Sequence, residues 1–240
     1  MEWHQITSPG NRDCNEDTAA CFERKGEFCF VAADGLGGHG KGEVASRLLA
    51  ETIGQCFEQN EGDAEAFLHN ALLSAQAAVI SEQKRQNASC EMKTTAAVLA
   101  VIGGRARWGH CGDTRLYVFH KNKVVCRTLD HSVPQMLASA GDIREKDIRR
   151  HPDRNRLLRC FGVEWDEPRY VLSEEIDLAN AQAFLLCTDG FWDFIDEKTM
   201  GRLLKKAGSV REWLETMAAV VEQNGTGHDM DNYTAIAVFV

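Results

Sequence analysis

Apolar and polar positions change rhythm several times along the chain, and each change marks an element. Thr18 to Phe22 and Phe28 to Ala33 are short β-like runs on either side of ERKGE, which predicts a hairpin. Residues 42–58 then place Val44, Leu48, Ile53 and Phe57 near the spacing of one helix face. Residues 63–86 repeat that rhythm with Ala66, Phe67, Leu73, Ala77 and Ile80. Four further β-like runs follow with no helix between them: TTAAVLAVI (94–102), RARWGHC (105–111), TRLYVFH (114–120) and KVVCRTL (123–129). Their short connectors contain GG, GD and KN, which predicts consecutive antiparallel hairpins, because a parallel crossover needs about a dozen residues or more.

Residues 133–159 read as a helical, charged insertion. After it the pattern predicts strands near 169–174 and 183–188, helices near 196–206 and 210–223, and a last strand over YTAIAVFV. Strands, helices, strands, helices and a strand, in that order, predict an α+β protein whose helices cover antiparallel sheets. No Pro/Gly/Ser-rich linker and no internal repeat divides the chain, so one domain over 1–240 is expected.

A length of 240 residues, 44% hydrophobic and 26% charged, fits a globular chain with a sizeable core. Its 27 Lys and Arg against 36 Asp and Glu give a net charge of -9, which repels nucleic-acid backbones and anionic lipid. Neither is expected as a partner, and a phosphorylated ligand needs local cations. Nine cysteines are scattered singly without a CxxC pair, which favours reduced thiols acting as small buried packing residues, and hence a cytoplasmic protein. No signal-peptide pattern and no run of about 18 apolar residues is present, so neither export nor a membrane span is expected.

The stretch FVAADGLGGHGKGEVAS (30–46) carries the first candidate chemistry. By letters it satisfies GxGxxG at Gly35, Gly37 and Gly40, and GxxxxGK from Gly35 to Lys41. Antiparallel hairpins rule against the dinucleotide motif, which needs βαβ crossovers. Gly42 stands where a phosphate-binding loop needs a Ser or Thr hydroxyl for Mg. Asp34 suits neither motif, since a carboxylate beside bound phosphate repels it unless a metal ion lies between them. The same grammar recurs: Asp17, Asp34, Asp113, Asp189 and Asp231, with Glu16, form five separated acidic spots at the ends of apolar runs. At any one of them a turn-forming Asp is the ordinary explanation. Their joint pattern points instead to a centre for hard divalent cations, which prefer oxygen ligands.

The order of these motifs resembles the PPM (protein phosphatase 2C-type) metal-dependent serine/threonine phosphatases, especially short bacterial members. RDCNED (12–17) is similar to that family's RxxNED, DGLGGHGKGEVAS (34–46) to DGMGGHxxGExAS, and GDTR (112–115) to GDSR. LDHSVPQMLASAGDI (129–143), HPDRNRLLRCFG (151–162), LLCTDGFWD (185–193) and DNYTAIAV (231–238) complete the set. The resemblance implies an αββα four-layer sandwich with a binuclear Mn2+ or Mg2+ site at one end. In it Asp34 bridges both ions, the Gly35 carbonyl binds one, and Asp189 and Asp231 bind the other. Glu16 and Asp17 bind or orient metal waters, Asp113 with Asp189 holds a weaker third ion, and Arg12 grips the substrate phosphate. Such a pair of ions lowers the pKa of a shared water for in-line attack on phosphorus, and Arg12 can fork onto two phosphate oxygens.

The sequence also departs from the pattern. Leu36 stands where eukaryotic members carry a histidine, and His39, which matches the bacterial form, is the candidate general acid if it lies within reach. Lys93 replaces a glycine and Thr114 a serine. Residues 133–160 match the flap that borders the site, and the basic side chains within 141–159, Arg149 and Arg150 among them, are expected to attract acidic phosphopeptides. The function implied is a stand-alone phosphatase of phosphoserine and phosphothreonine in proteins, opposing a bacterial Ser/Thr kinase. The alternatives are a catalytically silent regulatory domain of the same family, which commonly lacks metal carboxylates that are all present here, and a metal-dependent nuclease, against which the net charge counts.

Overall fold

The computed structural model describes residues 1–37, 41–88 and 91–240. The first half holds β1 (Glu2–Ser8), β2 (Thr18–Arg24), β3 (Glu27–Ala33), β4 (Gly35–Leu36), α1 (Lys41–Glu58) and α2 (Ala64–Gln86). A β series follows: β5 (Lys93–Thr94), β6 (Ala96–Ile102), β7 (Arg105–Cys111), β8 (Arg115–His120) and β9 (Lys123–Arg127). Next come α3 (Val133–Ala140), the 3-10 turn Glu145–Arg150, β10 (Val171–Leu172) and β11 (Ile176–Asp177). The chain ends with β12 (Ala183–Cys187), α4 (Asp189–Trp192), α5 (Glu197–Leu204), α6 (Val210–Gly225) and β13 (Tyr233–Phe239).

Among the described residues two large antiparallel sheets result, in the orders β1-β13-β12-β8-β9 and β10-β7-β6-β3-β2 with β11 also on β7, and β4 and β5 form a separate two-stranded sheet. Three hairpins turn on two residues with positive φ, Lys25-Gly26, Gly103-Gly104 and Lys121-Asn122. That turn geometry matches the right-handed twist of the flanking strands.

Alternation along the strands builds the layers. In β3, Phe30 and Ala32 point between the sheets, where they meet Leu99 of β6, Leu116 and Val118 of β8, Phe184 and Leu186 of β12, and Ile236 of β13. Cys29, Val31 and Ala33 of the same strand point outward under α1 and α2. The other sheet does the same, sending Leu185 and Cys187 outward to Phe191, Trp213, Leu214 and Met217 on the α4–α6 side. Strands buried on both faces read as continuous apolar runs, as FVAA and AFLLC do. The four-layer sandwich expected from the resemblance is therefore the fold found.

Several boundaries differ from the sequence reading. Helix α1 buries Ala45, Leu49, Ile53 and Phe57, one residue out of phase with the expected Val44 and Leu48. Helix α2 buries Phe67, Leu68, Ala71, Leu72, Ala75 and Val79, while Ala66, Leu73 and Ala77 are exposed. Alanines on most sides of α2 leave its phase undetermined by periodicity, and packing on α1 and the first sheet decides it. The charged insertion is helical only at α3 and one 3-10 turn, and the strand expected over 169–174 is cut to two residues. Strand β1 was not expected, because EWHQITS is a half-exposed edge without an apolar run. Of the eight described cysteines, all free, Cys29, Cys111, Cys160 and Cys187 are buried as expected; Cys14 and Cys126 are exposed.

Arg115 at the start of β8 is the largest departure from an apolar interior. Its guanidinium forks onto Asp130, donating from Nε at 2.8 Å and Nη2 at 2.6 Å, and lies 3.5 Å over the Trp192 ring. Both side chains of the ion pair are 2% exposed or less. Removing one member of such a pair strands the other charge in the interior. Asp130→Ala is expected to lower stability by about 3–5 kcal/mol, measured by denaturant unfolding; a loss below about 1 kcal/mol would contradict this account.

Candidate functional site

Every expected acidic residue that the structure describes lies at one end of the sandwich. Asp34 ends β3, Asp113 sits in the β7–β8 turn, Asp189 opens α4 directly after β12, and Asp231 precedes β13. Glu16 and Asp17 lead into β2. Arg12, Glu16, Asp34, Gly35, Asp113, Asp189 and Asp231 line one depression of about 540 Å³, and Asp17 lies beneath it. His39 falls outside the described residues. A larger, mainly apolar cavity of about 910 Å³ lies under α3, but it gathers no comparable set of carboxylates.

Backbone and hydroxyl groups hold these carboxylates in place. The Asp34 carbonyl accepts from Thr94 Oγ1 at 2.8 Å and from the Thr95 N–H at 2.9 Å, fixing the end of β3 to the head of β6. Thr188 Oγ1 donates to Asp17 Oδ2 at 2.8 Å and accepts from the Thr234 N–H at 2.9 Å. Trp192 Nε1 donates to the Asp113 carbonyl at 2.9 Å. Asn232 uses its whole amide: it donates to the carbonyls of Pro9 (2.9 Å) and Cys14 (2.8 Å) and accepts from the Glu16 N–H (2.8 Å). The loop that carries Arg12 and Glu16 is thereby pinned to the base of β13. Glycine is required where these segments touch, since a Cβ on Gly35 would stand 2.4 Å from the backbone of Glu16 and Gly42.

Electrostatics at this end oppose ionisation. Burial pushes Asp17 up to about 7, and burial with the charge of Asp130 takes Asp113 to about 7. Asp34 and Asp189 keep one side open to the depression, yet burial and then their acidic neighbours raise both well above the usual carboxylate range. Among the described residues Asp231 alone of the set is ion-paired, with Arg12 donating to its two oxygens at 3.1 and 3.2 Å. Among the described residues, the buried Oδ1 atoms of Asp17 and Asp113 have no hydrogen-bond partner. Anionic oxygens without donors fit a cation.

No three His, Cys, Asp or Glu side chains among the described residues close on a common point as a finished cage.

Several contributors were missed in the sequence reading. Asn232, Thr188, Thr95 and Trp192 hold the carboxylates rather than join them, and only the Asp-Asn pair before an apolar strand hinted at one. Asn155 and Leu157 also line the depression. Arg149, expected to face substrate, instead donates to the carbonyls of Trp192 (2.9 Å) and Ile195 (3.3 Å) and to Glu197 (2.7 Å). It anchors the insertion to α4 and α5.

A family model described as protein phosphatase 2C matches residues 10–233. The chain belongs to that family of phosphoprotein phosphatases. It is 27% identical over 233 residues to the serine/threonine phosphatase stp of Listeria welshimeri, covering 95% of this chain and 90% of the relative. The crystal structure of the serine/threonine phosphatase Stp1 of Staphylococcus aureus superposes with a TM-score of 0.90 at 26% identity, over 100% of this chain and 94% of that one. The catalytic domain of the phosphatase PstP, solved with two manganese ions, shares the fold: TM-score 0.80 and 24% identity over 98% of this chain and 96% of that one.

The raised carboxylates set a sign for metal linkage. Their protons are held more tightly in the folded than in the unfolded chain, so the stability they contribute is fully present below the unfolded value near 4 and lost as pH rises through about 7. A cation that replaces those protons must compete with them at low pH. Mn2+ is therefore expected to raise the melting temperature, relative to chelated protein, by more at pH 7.5 than at pH 5.5. His110 and His131, the latter pushed by burial down to about 3, destabilise both forms alike in acid and cancel in that difference. An equal shift at the two pH values would contradict the assignment.

Proposed function

We propose that this chain hydrolyses phosphoserine and phosphothreonine in proteins by attack of a water, with two Mn2+ or Mg2+ ions held by the acidic set and all of residues 1–240 serving as one catalytic domain. In this reading it opposes a bacterial Ser/Thr kinase, as expected from sequence. The observation that carries it is the group of buried carboxylates around a solvent-reached depression, which among the described residues has no basic partner except Arg12 at the rim. Similarity to relatives named as serine/threonine phosphatases, and to a fold solved with two manganese ions, supports it.

Asp34 and the Gly35 carbonyl would hold one ion, Asp189 and Asp231 the other, and Asp113 with Asp189 a weaker third. When bound, the ions supply Lewis acidity, making a water acidic and neutralising charge on the phosphoryl oxygens. The chain's own groups do the rest. Glu16 and the buried Asp17 orient water at the edge of the set. Arg12 cannot fork onto Asp231 and onto a phosphate at once, so in this role its guanidinium leaves Asp231 for two phosphate oxygens, and the freed Asp231 oxygens face the cations. Thr188 and Asn232 keep Asp17 and the Arg12 loop in register while this exchange occurs. The proton for the departing hydroxyl is assigned to His39 on the sequence pattern.

Asp34→Asn and Asp189→Asn are each expected to cut phosphate release from a phosphothreonine peptide in Mn2+ by at least about 100-fold, the scale of several kcal/mol of lost charge stabilisation. Circular dichroism should stay unchanged. Wild-type turnover of p-nitrophenyl phosphate should stop on chelation and return with Mn2+. Full activity in either variant would overturn the metal assignment, and no turnover by the folded, Mn2+-loaded wild type would favour a silent regulatory domain.

A further inference from the structure

The apolar cavity of about 910 Å³ under α3 lies where the sandwich is left open. Strand β9 is the edge of one sheet, and β10 with β11 is the edge of the other. Trp108 of β7 and Val118 of β8 belong to the core between the sheets and both line the cavity, so its floor is that core. Nine large hydrophobic side chains are exposed among the described residues, and five of them, Val125, Leu129, Met136, Leu158 and Val171, line this one cavity. An exposed apolar cluster of that kind marks a binding place. The volume is in the range of pockets that enclose small molecules. No residue lines both this cavity and the acidic depression.

The polar groups of the lining define what the occupant carries. Trp165, Trp192 and Trp213 each donate their Nε1–H to a backbone carbonyl, at 3.3, 2.9 and 3.1 Å. Trp108 is only 6% exposed and its backbone N–H is held by Ser173, yet its Nε1–H has no partner among the described residues. A buried indole N–H ordinarily finds an acceptor, and one left unmet costs free energy. This atom is not sealed from solvent, and the open space that Trp108 lines is the cavity. His131 lines it as well. Its Nδ1 accepts from the Gly112 N–H at 3.1 Å, so the proton of this neutral ring sits on Nε2, a second donor without a partner among the described residues. Charges in the lining balance, Arg127 and Arg159 against Asp130 and Glu174. Donors, apolar walls and no net charge together suit an uncharged apolar molecule that carries a hydrogen-bond acceptor.

We propose that this cavity binds a small, uncharged aromatic or aliphatic molecule with a carbonyl-type acceptor, which takes the Trp108 Nε1–H while its apolar body completes the core between the sheets. The site is separate from the acidic depression and needs none of its ions. His131 links the two places, since the ring that lines the cavity also holds Gly112, the residue before Asp113.

Titration of the chelated protein with the fluorescent naphthyl ketone prodan tests this. Saturable, blue-shifted emission with one molecule per chain is expected. Leu129→Asp/Met136→Asp should weaken binding at least about tenfold with unchanged circular dichroism, because both side chains are already more than half exposed, at 54% and 52%. Acetylnaphthalene and ethylnaphthalene, alike but for the carbonyl, then compete against prodan. Trp108→Phe keeps an apolar ring and should lower the ratio of acetyl to ethyl affinity about two- to tenfold, the scale of one neutral hydrogen bond. Absence of prodan binding, or binding that the double Asp variant leaves unchanged, overturns the inference, and so does an affinity ratio unaltered by Trp108→Phe. A dimer that the double Asp variant dissociates, with no probe bound by wild type, would assign the apolar rim to a second copy of this chain and overturn it as well.

Discussion

Carboxylates gathered in a protein interior repel one another and lose their hydration, and the end of this sandwich is organised around that cost. Asp17, Asp34, Asp113 and Asp189 are all driven toward their protonated forms by burial first, with neighbouring acids adding to it. Left to a flexible loop they would separate. Here they stand on strand ends and tight turns whose geometry is fixed by two sheets packed face to face, so the repulsion cannot relax by movement. Strain of this kind is relieved by protons or cations, and a cation with charge +2 does so without giving up the ionised form.

Uncharged side chains supply the rigidity. Thr94 and Thr95 tie Asp34 to the next strand of its sheet, Thr188 bridges Asp17 and the last strand, and Trp192 holds the Asp113 turn from below. Trp192 also stacks on Arg115, whose buried pair with Asp130 reaches the loop after β9. The insertion joins the same assembly through Arg149 on the Trp192 carbonyl. Site and insertion thus share one support.

The fold was legible where one physical rule dominated. The GG and KN connectors dictated antiparallel neighbours, and strands buried on both faces announced themselves as apolar runs; the GD connector, read as a third hairpin, instead carries the chain from β7 in one sheet to β8 in the other. The acidic positions were legible because Asp at the end of an apolar strand recurs, and the motif resemblance then ordered them. What could not be read depended on contacts distant in sequence. The phase of α2 is decided by what it packs on, β1 by a partner more than 200 residues away, and the role of Asn232 by three backbone groups between Pro9 and Glu16. Arg149 and Arg150 are identical letters side by side, and the tertiary structure alone separates an anchor from an exposed side chain that has no ion pair among the described residues.

The amide of Asn232 has a further consequence in time. It joins the segment with Arg12 and Glu16 to a residue more than 210 positions later, at sequence separations of 216 to 223. Contacts of such range form late, because closing the intervening loop costs entropy before any reward arrives. As the chain emerges during synthesis, β2, β3, α1 and α2 can associate while the arginine loop still has no anchor and Asp231 has yet to be made. The edge of the site that carries Arg12 and Glu16 is therefore the last part to assemble, completed when β13 pairs between β1 and β12.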